Sequence, residues 1–167
     1  MGQRSKAWLR PSSFHFLDDM STSTVYTIGY QGKSLETFIT LLRQAGVDAV
    51  IDIRLRNTSH LAGYTKRDTL EFLLREGFGI AYEHLPELAP APEILDAYKA
   101  TGDWAAYVAH FLPLLAARDA TQIGRDVLTR HHAPCLLCAE PTPEQCHRRL
   151  VAEYWAQYVS GLDIVHL

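Results

Sequence analysis

The sequence has few cysteines, no long apolar run and little net charge, and each of these features excludes a class of protein. The chain has only three cysteines, all within residues 135–146, which does not fit the disulfide framework of a secreted protein. We therefore expect a cytoplasmic protein, kept reduced by its compartment. No run approaches the ~18 apolar residues of a membrane span, and the N-terminus lacks the apolar segment of a signal peptide. We accordingly expect no membrane partner.

The net charge of −3 gives no general attraction to nucleic acid, although a local basic patch could still bind it. The glycines do not form the complete glycine-rich fingerprint of a dinucleotide-binding turn, and no internal repeat is present. The hydrophobic fraction of 47% and the charged fraction of 21% are ordinary for a globular domain. Nothing in the sequence predicts the oligomeric state.

The first residues differ from the rest of the chain. Residues 1–23 are rich in Ser, Thr and Arg and show no hydrophobic periodicity. We interpret them as a disordered stretch or an added extension. Residues 24–167 are interpreted as a single domain, in keeping with their length.

Short β-type runs alternate with amphipathic segments along this domain. Strands are predicted at residues 25–28, 47–53, 80–84, 135–139 and 163–167, and helices at residues 35–45, 66–76, 92–100, 104–117, 121–131 and 143–159. This alternation predicts an α/β fold, a single three-layer domain with a mostly parallel sheet and helices on both faces. Ligands bind such sheets at the carboxyl ends of the strands.

Several helix ends carry recognisable signals. Side chains that can cap a helix precede three of the segments, at Ser34, Thr65 and Asp103. The pattern from Thr142 through Pro143 to Gln145 is a capping box and predicts that the last helix begins at Pro143. Pro113 is expected to kink or break the helix at 104–117.

Polar residues follow the apolar part of the first two strands. Gly29, which precedes Tyr30, permits a tight turn and a close approach to a ligand, although an ordinary turn would also explain it. Asp52 and Arg54 lie two residues apart and therefore point to one face of a strand. Two explanations remain open. The pair closes the sheet edge as an ion pair, or Arg54 grips a carboxylate or phosphate while Asp52 orients it or acts as a base.

Further polar candidates lie in the next loop and strand. Basic residues of the loop could form an anion clamp or simply a solvated surface: Arg56, His60, Lys66 and Arg67. His84 follows the third strand and is either a hydrogen-bonded structural residue or a catalytic one.

The cysteines divide according to strand parity. Cys135 and Cys138 are an odd number of residues apart, so a strand sends their sulfurs to opposite faces. Cys135 is therefore predicted to be a core residue. Cys138 and Glu140 are two residues apart, so they point to the same face of the sheet at the carboxyl end of the predicted strand. Cys146 and His147 fall in the first turns of the last predicted helix, where a thiol pKa is lowered.

Three interpretations of this segment compete. One is a thiol or acid/base site acting on a small anionic ligand. Another is a zinc or iron site formed by Cys138, Cys146 and His147, with His84 as a conceivable fourth ligand. It ranks lowest because structural zinc usually needs four ligands and this segment supplies only three. The last is a set of packing cysteines beside solvated arginines. The sequence requires no cofactor.

These residues resemble the domain of unknown function 488 family. The resemblance covers about residues 24–167 and is carried by YTIGY at 26–30, SLETF at 34–38, VIDIR at 50–54, YEHLP at 82–86, CAE at 138–140, CHR at 146–148 and VH at 165–166. It implies the following signature positions: Gly29, Asp52, Arg54, His84, Cys138, Glu140, Cys146, His147 and Arg148. The chain departs from many relatives after Gly29, in the loop at 55–58 and at 87–90, which suggests a distinct subgroup. The resemblance implies no settled reaction.

The leading hypothesis is an enzyme that acts on a small anionic compound, phosphorylated or nucleotide-like, at the carboxyl edge of the sheet. Arg54 and Arg148 would hold the anion, with help from a helix start at Pro143. The catalytic candidates are Asp52 and Glu140 as acid or base, Cys138 and Cys146 as nucleophile, and the histidines His84 and His147. The remaining candidates for ligand binding are Gly29, Tyr30 and Lys66.

Two alternatives come from other classes of function. One is a non-catalytic module that binds a ligand or a metal. The other is nucleic-acid processing, which would require a continuous basic surface formed by Arg54, Arg56, Lys66, Arg67, Arg148 and Arg149.

Overall fold

The computed structural model describes residues 23–167. The predicted N-terminal extension lies outside these residues except for Ser23, which begins the first strand.

The described residues form a five-stranded, all-parallel sheet. Its strands are β1 (Ser23–Gly29), β2 (Ala49–Asp52), β3 (Ala81–His84), β4 (Pro134–Cys138) and β5 (Leu162–His166). Their order across the sheet is β3-β2-β4-β1-β5, with parallel pairing throughout. The predicted α/β class with a mostly parallel sheet is confirmed.

Helices connect the strands. They are α1 (Leu35–Gln44), α2 (Arg67–Phe72), α3 (Pro92–Thr101), α4 (Trp104–Ala117), α5 (Ala120–Arg130) and α6 (His147–Tyr158). A π-helical turn at Leu73–Gly77 extends α2, and 3₁₀ turns occupy His60–Thr65 and Pro86–Leu88. Within residues 23–167, no helix has the length and apolar character needed to cross a membrane.

The two faces of the sheet bury separate apolar clusters. Successive side chains of a strand point to opposite faces, so Val50 packs with α1 and α2 while Ile51 packs with α4 to α6. The same parity in β4 sends Cys135 to the α1 side and Leu136 to the α6 side. Cys135 is fully buried among apolar residues, as predicted. The parity also separates Cys135 from Cys138.

The connections leave a crevice between β1 and β4. The chain leaves β1 through α1 on one face, whereas it leaves the neighbouring β4 through α6 on the other face. Two adjacent parallel strands whose connections go to opposite faces define a topological switch point, where ligands bind in open α/β sheets. The last residues of these two strands, Gly29 and Cys138, lie side by side there.

Of the three caps predicted at Ser34, Thr65 and Asp103, two are present and one is not. Ser34 accepts from Thr37 N at 3.1 Å, and Asp103 accepts from Ala106 N at 2.9 Å. Thr65 does not cap α2, because its hydroxyl donates to the Ala62 carbonyl at 2.8 Å.

Pro113 was predicted to kink or break its helix, and the prediction of a break was wrong. Helix α4 runs without interruption from Trp104 to Ala117 with Pro113 inside it. A proline costs an internal helix about 3 kcal/mol. Phe111 and Leu115, on either side of Pro113, are fully buried, and this packing holds the helical turn together.

The predicted start of the last helix was also wrong. Helix α6 begins at His147, and Cys146 occupies the N-cap position in an extended conformation, with φ −132° and ψ 138°. The capping-box pattern is not used, since Gln145 Oε1 accepts instead from Tyr98 OH at 3.1 Å. The extended residue carries the Cys146 thiol into the protein, where it is only 1% exposed.

Candidate functional site

The carboxyl ends of β1 and β4 touch at Gly29. An added Cβ at Gly29 would lie 1.6 Å from the carbonyl oxygen of Glu140 and 2.8 Å from Nη1 of Arg148. No side chain fits this space, so glycine is required by the close approach of the chain itself. A contact between Gly29 and a ligand stays a prediction.

Asp52 and Arg54 form the first half of the site. Arg54 donates to the carboxylate of Asp52 through Nε at 2.8 Å, Nη2 at 2.6 Å and its backbone N–H at 3.1 Å. Nη2 also donates to the Thr65 carbonyl at 2.8 Å. Both side chains are buried. The ion pair, one of the two explanations that the sequence left open, is therefore present, and its bidentate geometry fixes the guanidinium plane.

Two residues that the sequence did not single out complete this half. Tyr82 OH donates to Oδ2 of Asp52 at 2.6 Å, and Asn57 Nδ2 donates to the same atom at 3.1 Å. Burial alone would raise the pKa of Asp52, but the hydrogen bonds and charge of Arg54, with those from Tyr82 and Asn57, lower it. A carboxylate this well satisfied is a weak base, so Asp52 is suited to orienting Arg54.

Three other residues that the sequence predicted for the site, Tyr30, His84 and Lys66, differ in their contacts with Arg54. Cζ of Arg54 lies 5.2 Å from the centroid of the Tyr30 ring, within cation–π range. His84 Nε2 lies 2.9 Å from the carbonyl oxygen of Arg54 and donates to it, because a carbonyl only accepts. Lys66 immediately precedes α2 and lines neither of the two cavities described below.

Arg148 is the centre of the second half and is fully buried. Its Nη1 donates to the Glu140 carbonyl at 2.6 Å and to Cys146 Sγ at 3.3 Å, and its Nε donates to Thr27 Oγ1 at 3.3 Å. Nη2 has no hydrogen-bond partner among residues 23–167. No carboxylate of the described chain pairs with Arg148. A buried charge without a counter-charge costs several kcal/mol, so a negative group is needed nearby.

A cluster of two thiols and an imidazole supplies the groups that can carry this charge. The Sγ atoms of Cys138 and Cys146 and a ring nitrogen of His147 all lie within 4.8 Å of one another. Cys138 Sγ is 3.4 Å from Nδ1 of His147. The approach of Cys138 and Cys146 across the turn, which the sequence left open, is therefore present.

The backbone fixes the orientation of the His147 ring. Nε2 lies 2.9 Å from the carbonyl oxygen of Ile53, which can only accept, so Nε2 carries a hydrogen. In the neutral ring, Nδ1 is then the acceptor that faces Cys138. His147 is thus placed to take a proton from the Cys138 thiol.

The three cysteines have different acidities. Burial would raise the pKa of Cys138, but hydrogen bonds from the Cys146 side chain and from the backbone of Glu140 and Ala139, with the charge of Arg148, lower it below its ordinary value. The hydrogen bond to Cys138 and burial raise the pKa of Cys146. Burial raises the pKa of Cys135. Cys138 is therefore the thiol suited to reaction as a thiolate.

Two adjoining cavities open over the cluster. The smaller, of about 290 Å³, is lined by Cys138 and by the cationic side chains Arg54, Arg56 and Lys99. The larger, of about 460 Å³, is lined by Cys146 and has an aromatic wall of Tyr98, Trp104 and Tyr107. Both are lined by Leu95, Lys99, Glu140 and His147. The arrangement can hold an anionic group and a flat apolar group close to a thiolate.

The same cluster has the donor set of a metal site. Two cysteines and one histidine are ligands that zinc prefers, and three protein ligands leave the fourth position open. The hydrogen bond from His147 Nε2 to the Ile53 carbonyl is the kind of contact that orients a ligating imidazole.

Several site residues were missed or misjudged from the sequence. Lys99 and the aromatic wall come from α3 and α4 rather than from strand ends, so the strand-end rule did not find them. The six basic residues that would form a nucleic-acid surface do not share one, because Arg54 and Arg148 are buried.

The sequence matches the family described as domain of unknown function DUF488 over residues 34–155. No curated protein and no solved structure shows a significant match to the chain. The family match spans most of the sheet and the segments that carry Asp52, Arg54, Cys138 and Arg148. This chain therefore belongs to the domain of unknown function DUF488 family.

Proposed function

We propose that this protein is an enzyme that acts on a small anionic compound, phosphorylated or nucleotide-like, and that Cys138 is its nucleophile. The observation that carries the proposal is the Cys138 thiol at the end of β4, 3.4 Å from Nδ1 of His147 and open to a cavity lined by cationic side chains. A nucleophile beside an oriented base is the arrangement that covalent catalysis requires.

The anionic part of the substrate binds in the smaller cavity. Arg54 is held there by its bidentate bond to Asp52, which leaves Nη1 outside those contacts. Arg56 and Lys99 are exposed and line the same space. One fixed cation and two flexible cations suit a carboxylate or phosphate.

The flat part of the substrate binds in the larger cavity. Trp104 and Tyr107 stack with ring centroids 4.9 Å apart, and Tyr98 meets both edge-on. An aromatic surface of this kind favours a planar ring such as a nucleobase. The shared lining of the two cavities allows one molecule to occupy both.

The reaction is a hydrolysis in two stages. His147 Nδ1 takes the Cys138 proton, and the thiolate attacks the electrophilic atom of the substrate. A bond to sulfur forms, the bond to the leaving group breaks, and the His147 proton passes to the leaving group. Water then displaces the sulfur, and the Glu140 carboxylate, which lines both cavities, accepts the proton of the water.

This proposal changes two roles that the sequence indicated. Arg148 lines neither cavity and its hydrogen bond to sulfur goes to Cys146, so we assign its charge to the support of the neighbouring Cys138 thiolate rather than to the substrate. A helix start at Pro143 cannot contribute, since α6 begins at His147.

Alkylation by a matched pair of reagents tests the site. Iodoacetate carries a negative charge and iodoacetamide is neutral, so a cationic cavity beside Cys138 accelerates the first relative to the second. We expect the ratio of the two rates at Cys138, measured by mass spectrometry, to exceed that of a free thiol. Inorganic phosphate and adenosine monophosphate should each slow both reactions.

Variants of the cationic side chains provide the controls. The double substitution Arg56→Gln and Lys99→Gln should reduce the rate ratio toward that of a free thiol while the iodoacetamide rate stays the same. Alkylation should continue in Cys135→Ala and stop in Cys138→Ser. A ratio at or below the free-thiol value in the unmodified protein would contradict the anion site.

A separate experiment tests catalysis. Hydrolysis of phosphate esters and nucleotides should be lost in Cys138→Ser, and equal activity in that variant would rule out Cys138 as the nucleophile.

A second candidate function is a metal-binding module, favoured by the convergence of Cys138, Cys146 and His147 within 4.8 Å. In this function Cys138, Cys146 and His147 would hold the metal, which would supply Lewis-acid chemistry to a ligand in the adjoining cavities. Stoichiometric zinc or iron in untagged protein, lost in His147→Ala, would support it. Metal-free protein that still shows fast alkylation at Cys138 would favour the enzyme.

A further inference from the structure

We infer that Cys138 and Cys146 form a reversible disulfide, with Cys138 as the thiol that reacts with a small hydroperoxide and Cys146 as the thiol that resolves the product. The inference rests on the reactivity of Cys138 used in the proposed function. It adds a redox reaction and gives Cys146 a role of its own.

The distance between the sulfurs allows the bond. They lie within 4.8 Å of each other, and a disulfide requires about 2.05 Å. Cys138 ends a strand, whereas Cys146 is an extended residue before α6. The segment between them, residues 139–145, has no regular secondary structure and can follow a small approach of Cys146.

The two thiols have unequal surroundings, which sets the order of events. Cys138 has His147 Nδ1 at 3.4 Å, so its proton has an acceptor. Cys146 receives a hydrogen bond from Nη1 of Arg148 at 3.3 Å. We therefore assign the first attack to Cys138, whose proton has an acceptor in Nδ1 of His147, and the second attack to Cys146.

Both thiols are accessible through different cavities. Cys138 lines the smaller one and Cys146 the larger one. Each is nearly buried, at 3% and 1% exposure, so a bulky oxidant is excluded while a small hydroperoxide can enter.

The hydroperoxide oxidises the two thiols to a disulfide in two steps. The Cys138 thiolate attacks the outer oxygen of the hydroperoxide, an S–O bond forms, and the O–O bond breaks. The sulfur becomes a sulfenic acid, the peroxide is reduced by two electrons, and the alkoxide or hydroxide takes a proton from His147 or water. Cys146 then loses its proton and attacks the Cys138 sulfur. The S–S bond forms, the S–O bond breaks, and hydroxide leaves as water after protonation. A dithiol reductant restores the two thiols.

Peptide mapping after peroxide treatment tests the inference. Trypsin leaves all three cysteines in one peptide, since no Lys or Arg lies between residues 131 and 147, whereas cleavage after Glu144 separates Cys146 from the other two. Chelator-treated protein is exposed to hydrogen peroxide, denatured and alkylated. We expect the two fragments to remain joined until a reductant is added, with Cys135 alkylated as an internal control.

Single substitutions locate each step. Cys146→Ser should stop at a sulfenic acid on Cys138 that dimedone traps, and Cys138→Ser should consume peroxide at least tenfold more slowly. Cys135→Ala should behave like the unmodified protein. Unmodified protein that accumulates sulfenic acid on Cys138 without a disulfide would overturn the role of Cys146 and leave the nucleophile of the proposed function intact. Equal peroxide consumption by Cys138→Ser would overturn both.

Discussion

The two buried arginines at the carboxyl edge of the sheet differ in how their positive charges are compensated. Arg54 has its own carboxylate, since Asp52 accepts from it through both oxygens. Arg148 contacts a carbonyl, a hydroxyl and a thiol, and it pairs with no carboxylate of residues 23–167. The Asp52–Arg54 pair balances its charges without a ligand. Arg148 contacts the Cys146 thiol and acts on the neighbouring Cys138 through its charge, so the comparison links the charge of Arg148 to the chemistry of Cys138.

Removal of Asp52 should give the largest effect, because it leaves the Arg54 charge buried and unpaired. Asp52→Ala is expected to lower the free energy of unfolding by about 3–5 kcal/mol, measured by urea denaturation. Glu71→Ala is the matched control, because the Glu71–Arg75 pair is exposed and worth at most about 1 kcal/mol. Equal losses in the two variants would mean that the Asp52–Arg54 pair is not a buried structural pair.

A methyl group at Gly29 should disturb the second half of the site. Its Cβ would meet the Glu140 carbonyl and Nη1 of Arg148, so the loop must move. We expect Gly29→Ala to cost about 1–3 kcal/mol of folding free energy and to slow alkylation of Cys138.

Gly77→Ala is the control for this substitution, since its added Cβ meets nothing within 4 Å. In a helical turn it should be neutral or stabilise the protein by up to about 1 kcal/mol. Normal Cys138 reactivity in Gly29→Ala would show that the close approach at Gly29 does not support the thiolate.

Acid should lower the stability of the protein, because protonation of Asp52 breaks its ion pair with Arg54. The folded-state pKa lies below the ordinary value of 3.8, so the carboxylate contributes stability above that pH and loses it as the pH falls through the lowered pKa. Thermal unfolding measured between neutral pH and the acid range should therefore show a decline. Asp52→Asn should be less stable at neutral pH and show a shallower decline, and parallel curves would contradict the assignment.

The fold was predictable because its signals are local and repeat along the chain. Strand and helix periodicity gave every strand of the sheet and every helix, and parity placed Cys135 in the core. The errors arose where long-range packing outweighed a local signal. The burial of Phe111 and Leu115 keeps α4 helical at Pro113. The burial of the Cys146 thiol requires an extended residue there, so α6 begins at His147 rather than at the capping box.

The site was predictable only in part. Parity and strand ends indicated Asp52, Arg54 and Cys138, and the structure brings them to one edge. The burial of Arg148 has no local signal, because arginines on helices are normally solvated. Tyr82 and Asn57 reach Asp52 only after the sheet register and the loop are formed, so their contacts depend on tertiary structure.

The titration of the Cys138 thiol tests the central claim most directly. The pH dependence of iodoacetamide alkylation at Cys138, followed by mass spectrometry in Cys135→Ala, reports its pKa. We predict a value below the ordinary 9.0, raised in Arg148→Met and raised less in Arg148→Lys, which keeps the charge. A pKa at or above 9.0 in the unmodified site, or one that does not change in Arg148→Met, would contradict the coupling between Arg148 and Cys138.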